Sequence, residues 1–201
     1  MDRFLKTLAL LAVMAAPPVS ASAQTLVESV PARALYLLDA KRKQALVQRW
    51  QQGQHPAQIQ NLGGGITVLD SLSEDYLRLH PSASDEIVMK RFPEFLLMIH
   101  TVFTPEPDSR LSFLDMAGNE LKKEIKLSAR DFYVPNDTLS ETQYLNYALP
   151  FVPHWQLEGD TLSVRWNLRS CLPREDWAKV AQAHRSTPIL YIWNDKFMKI
   201  K

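Results

Sequence analysis

The chain has 201 residues, with 23 lysines and arginines against 22 aspartates and glutamates, and a formal net charge of +1. No basic run or stripe stands out, which excludes the counterion-displacing surface that nucleic-acid binding needs and a polybasic membrane patch. The single cysteine, Cys171, excludes an intramolecular disulfide framework.

Residues 1–23 read as a secretory signal. Asp2, Arg3 and Lys6 form a charged start, Leu8 to Ala16 a short apolar core, and Ala21-Ser22-Ala23 a cleavage site before Gln24. The apolar core is shorter than the about 20 residues a membrane-spanning helix needs. Gln24 stands where a lipid-anchor cysteine would be. These features predict a soluble exported protein, periplasmic or extracellular and not a lipoprotein. Residues 24–201 fit one globular domain without covalent staples.

Pro31 is placed for a first helical turn. Asp39 caps a helix through Ala45, Leu46, Val47 and Trp50 that stops near Gly53. Residues 53–65 read as a Gln/Gly-rich connection, and Ile66, Val68 and Leu69 as a strand before a polar bend at Ser71–Asp75. Tyr76–His80 and Asp85–Phe92 form a hairpin around Pro81-Ser82-Ala83-Ser84. Phe95 to Phe103 is apolar on both faces, which predicts a central strand covered twice. A proline-stiffened loop at 104–108 leads to a return strand, Arg110–Met116, with Leu111 and Phe113 on one face. In Glu120–Leu127, Leu121, Ile125 and Leu127 oppose Lys122, Glu124 and Lys126.

The second half repeats this order. Ser128–Phe132 is a short helix, and Ser140 caps another carrying Tyr144, Leu145 and Ala148 toward Pro150. Gly159-Asp160 suits a two-residue hairpin turn, which sets Leu157 opposite Leu162 and Trp155 opposite Val164. Pro173 opens a helix through Trp177 and Val180. A last hairpin joins Ile189–Trp193 to Phe197–Ile200 through Asn194-Asp195. The expected class is α+β, mainly antiparallel. Two similar helix-helix-strands units, 24–127 and 128–201, are expected to share one sheet with helices packed on one face.

Leu72–His80 (LSEDYLRLH), Ile99–Asp115 (IHTVFTPEPDSRLSFLD) and Glu158–Trp166 (EGDTLSVRW) resemble a family of small exported Bacteroidales-type proteins known only as a domain of unknown function. The resemblance implies an exported protein of a gut- or oral-type Gram-negative bacterium. It implies no activity, and it assigns no residue a role.

The five histidines, His55, His80, His100, His154 and His184, show no metal-ligand spacing, so no metal and no cofactor is expected. His100, in the central strand with Met98 and Val102, reads foremost as a core histidine bonded to a neighbouring acid or backbone group. Cys171 precedes a predicted helix, whose N-terminus would favour the thiolate, but a packed thiol is the commoner state. Asp70, Glu74 and Asp75, with Asp85 and Glu86, read as solvated acids rather than a glycosidase pair or a calcium loop. Gly63-Gly64-Gly65 lacks the Lys-Ser/Thr of a phosphate loop.

The aromatic residues crowd toward the end: Tyr144, Tyr147, Phe151, Trp155, Trp166, Trp177, Tyr191 and Trp193. They read mostly as core. The loop and its flank, Thr104, Glu106, Asp108, Ser109 and Arg110, are candidates for recognition, because rigid scaffolds present function on such connections. These features point to a non-enzymatic binding, scaffold or inhibitor-like protein with a protein, glycan or peptide partner. The alternative is a small periplasmic hydrolase built on His100 or Cys171 with a nearby carboxylate.

Overall fold

The structure, a computed structural model, describes residues 26–103, 106–148 and 151–200. The expected leader and its cleavage site, Thr104, Pro105 and Pro150 lie outside the described residues. The fold is α+β and mainly antiparallel. Six strands follow one another as a meander: β1 (Ala57–Gln60), β2 (Ile66–Leu72), β3 (Tyr76–Ser82), β4 (Asp85–Arg91), β5 (Leu96–Phe103) and β6 (Pro107–Leu114). Four more form a second sheet in the order β10-β9-β8-β7: β7 (His154–Glu158), β8 (Thr161–Arg165), β9 (Ile189–Trp193) and β10 (Phe197–Lys199). The helices are α1 (Ala40–Gln51), α2 (Glu141–Tyr147), α3 (Leu168–Cys171) and α4 (Arg174–Val180).

Strand β5 explains the layering. Successive side chains on a strand point to opposite faces, and here both faces are buried. Leu96 and Met98 enter one core with Leu46 and Val47 of α1, Leu26 and Leu35. Leu97 and Ile99 enter another with Trp155, Leu157, Leu162 and Val164 of the second sheet. The long apolar run is therefore not an aggregation-prone edge, because β5 lies between β4 and β6 with a layer on each side.

Polar contacts hold the layers in register. Lys90 Nζ on β4 donates to the carbonyl of Gly159 (2.9 Å) and pairs with Asp160 (2.7 Å), clamping the β7–β8 turn. The Ser109 N–H on β6 donates to the Pro153 carbonyl (2.9 Å), just ahead of β7. On the edge strand β1, the carbonyls of Gln58 and Gln60 accept from Arg49 (2.6 Å) and Arg42 (3.2 Å) of α1. The chain following β6 turns at Gly118, with φ +87°, where an added Cβ would stand 2.3 Å from the Ser29 carbonyl oxygen. That contact keeps the residues at 26–30 tight against the end of the first sheet.

Several elements follow the sequence reading. Asp39 caps α1 by accepting from the Arg42 N–H (2.8 Å). Ser140 and Gln143 form a reciprocal capping box on α2. The β7–β8 register sets Leu157 opposite Leu162 and Trp155 opposite Val164.

Other elements differ. The strands form two sheets rather than one shared sheet, because the apolar run of β5 needs a second layer on its far face. The helices accordingly fall in different layers, α1 in the first core and Tyr144 of α2 and Val180 of α4 in the second. Pro31 opens single turns ending at Leu35 rather than a helix. The connection at 53–65 contains β1, and Pro81 lies inside β3 at a register shift between Leu79 and Ser82. The shift suits a residue without an N–H, while the Pro81 carbonyl accepts from Asn61 (3.1 Å) and Thr67 (2.8 Å). Beyond Leu121, residues up to Leu127 pair with neither sheet, although Leu121, Ile125 and Leu127 pack on the second core.

Leu96→Ala and Leu97→Ala are each expected to lower the unfolding free energy by about 2–5 kcal/mol in urea titrations. A cost confined to one of them would show that only one face of β5 is packed.

Candidate functional site

A cleft of about 460 Å³ opens where the two sheets meet, within the range of small-molecule sites. Its walls come from five parts of the chain. Glu106 precedes β6, and Pro107 begins it. Val152 precedes β7, and His154 begins it. Arg165 ends β8 and is followed by Trp166 and Asn167. Arg169 and Cys171 come from α3 and Trp177 from α4, while His184 and Ser186 close the far side.

One wall is fixed by His184, which is 8% exposed. Its Nε2 lies 3.0 Å from the Trp166 carbonyl oxygen, which can only accept, so Nε2 carries the proton. Nδ1 is then the acceptor for the Tyr144 hydroxyl at 2.7 Å. Both ring nitrogens are used, in one neutral tautomer. Burial holds the imidazole below the ordinary histidine value, against a smaller upward pull from the Trp166 carbonyl. Burial also pushes the Tyr144 hydroxyl well above the usual tyrosine range.

Trp166, 4% exposed, packs edge-on against Phe151 and Phe132 at centroid distances of 5.0 and 5.8 Å. Its indole nitrogen is buried with no hydrogen-bond partner among the described residues.

The outer wall is polar. Asn167 Nδ2 donates to Glu106 Oε2 at 3.1 Å, tying the end of β8 to the start of β6. His154 is half-buried, and burial lowers its affinity for a proton. Glu86 raises it by a smaller amount and Arg165 lowers it. Arg165 and Arg169 are exposed and have no carboxylate partner among the described residues.

The sequence candidates separate in space. Cys171, Glu106 and the histidines His154 and His184 share the cleft. Cys171 is the last residue of α3, and its sulfur lies 3.7 Å from the Asn167 carbonyl. It hydrogen-bonds neither cleft histidine among the described residues. Of the remaining loop candidates, Ser109 is buried against Thr101 (Oγ to Oγ 2.9 Å), Arg110 is paired with Glu120 (2.8 Å), and Asp108 is exposed.

His100 belongs to the other face of the first sheet, with Met98. Its Nε2 lies 3.4 Å from Asp85, whose other carboxylate oxygen accepts from Ser82. The acid therefore stands between hydroxyl and imidazole, whereas a serine nucleophile needs the imidazole in the middle. On the face turned to the second sheet, His80 pairs with Asp70 (2.8 Å) and lies 3.8 Å from Glu86, which also meets Arg78 (3.4 Å). Sequence reasoning passed over Arg165 and Arg169. Their one signal was the spacing Arg165-x-Asn167-x-Arg169 immediately after a clear strand.

Residues 17–197 match the model of a family described as a protein of unknown function, DUF3256. No curated protein matches the chain. A solved structure of a domain of an uncharacterized protein from Porphyromonas gingivalis W83 is similar, with a TM-score of 0.77 and 22% identity over 90% of this chain and 100% of that one. That likeness supports the fold. Among the described residues, no helix is long and apolar enough to cross a membrane.

A histidine held below its ordinary value binds its proton more readily in the unfolded chain. The stability tied to His184 is therefore complete above about 6.5 and is lost as pH falls further. In an NMR titration His184 should take up its proton at a lower pH than a free histidine, and should hold the Nε2–H tautomer while neutral. Tyr144→Phe, which strands Nδ1, should cost about 1–3 kcal/mol in urea titrations. A His184 that titrates near 6.5, or a Tyr144→Phe variant of full stability, would contradict this geometry.

Proposed function

From its membership of DUF3256, a family with no stated activity, and from the cleft, we propose that this chain is a non-catalytic binding protein of the cell envelope. In this reading the leader exports it and residues 24–201 form one domain. The cleft between the sheets is the binding site. The observation that carries the reading is a cavity whose walls are already locked: His184 by two hydrogen bonds, and Asn167 by Glu106. A site fixed before the ligand arrives loses little freedom on binding.

The alternative, hydrolysis at Cys171 or His100, lacks the nucleophile-to-base hydrogen bond that such chemistry uses. Cys171 bonds a backbone carbonyl, and His100 sits on the other side of the first sheet.

The test is a fragment screen by NMR on the full chain, reading the five indole N–H signals assigned by single Trp→Phe variants. Binding fragments should move Trp177 and Trp166 and leave Trp50 unchanged, with or without Cys171→Ser. Hits that map away from Trp177, or turnover of an ester probe that Cys171→Ser abolishes, would contradict the binding reading.

A further inference from the structure

We infer that the cleft takes an organic carboxylate carried on an apolar body; this rests on the cleft being a binding site. The charges on its wall set the sign. Arg165 and Arg169 bring two guanidinium groups with no carboxylate partner among the described residues. Among the described residues Glu106 is the one acid on the wall, and it is engaged by Asn167. Glu86, close enough to influence His154, is committed to Arg78 and His80. With His154 and His184 neutral, the wall carries one net positive charge, which matches a monoanion.

The donors set the group. A guanidinium presents a planar fork that fits a carboxylate two-pronged. Phosphate sites typically add a lysine or a cradle of backbone N–H groups at the start of a long helix. This wall has no lysine among the described residues, and its helices have four and seven residues.

The floor sets the body. Trp177 is half-buried, and with Trp166, Cys171 and Val152 it makes up the apolar part of the lining that Arg165 and Arg169 share. An indole face stabilises an aromatic or apolar partner without prescribing its polar groups. Such a carboxylate is found both on free organic acids and at the C-terminus of a peptide ending in an apolar residue.

The test uses the full chain and isothermal titration calorimetry. The probes are N-acetyl-phenylalanine, its neutral amide, and the tripeptide Ala-Ala-Phe with a free or an amidated C-terminus. The acid forms are expected to bind at least about tenfold tighter than their amides, and weaker as salt rises. Arg165→Gln with Arg169→Gln should bring acid and amide to equal affinity; both residues are exposed, and thermal melting checks that the variant folds. Tighter binding of the free-ended tripeptide than of N-acetyl-phenylalanine supports a peptide C-terminus as the source, and the reverse order supports a free acid.

Equal binding of acid and amide, with Trp177 shifting in both, overturns the carboxylate assignment while leaving the cleft a binding site. A preference for the acid that survives the double substitution overturns it as well. So does a lack of binding by every acid probe.

Discussion

The alternation of side chains along β5 is the constraint on which the rest of the molecule depends. Leu96 and Met98 face one way, Leu97 and Ile99 the other, and all four are buried. A strand of this kind is stable in water only with a layer on each side. The segment ahead of β1, with α1, supplies one layer and the second sheet supplies the other. The position of the second sheet then follows from the few polar contacts that register it, Lys90 on the β7–β8 turn and Ser109 on Pro153. The cleft lies where β7 begins and β8 ends, beside the start of β6.

The histidines show how environment separates one residue type into different jobs. His184 is dry, doubly bonded and neutral, and it acts as a strut between α2 and the end of β8. His154 is half-dry and its ring has no hydrogen bond among the described residues, so its ring nitrogens are unclaimed at the cleft wall. His80 and His100 each meet carboxylates on the first sheet, on opposite faces. Among the described residues none of these arrangements joins a nucleophile to a base, and the cleft lining sets Arg165 and Arg169 beside Trp166 and Trp177.

The sequence made some features legible and hid others for physical reasons. The β7–β8 hairpin was readable because Gly159-Asp160 supplies its turn and the flanking residues alternate cleanly between apolar and polar. The double covering of β5 was readable from its unbroken apolar run. The edge strand β1 was hidden, since Ala57-Gln58-Ile59-Gln60 has little strand propensity and owes its place to pairing with β2 and to arginines from α1. Two sheets were mistaken for one because alternation reports that a strand face is buried, not what buries it. The cleft arginines were hidden for a related reason: Arg165 on the outward face of β8 reads as an ordinary solvated end, and only its closeness to Arg169 and Trp177 gives it meaning. Cys171 and Glu106, singled out on separate grounds, proved to share that wall, whereas His100 did not.

Native-state hydrogen exchange along β5 tests the central claim most directly. If the two cores cohere through this strand, its amides should exchange only through global unfolding, with one common free energy and one common denaturant dependence shared with β8. Exchange of β8 through a lower-energy opening that leaves β5 protected would mean that the second sheet is an appendage. The account of how the cleft is built would then fail.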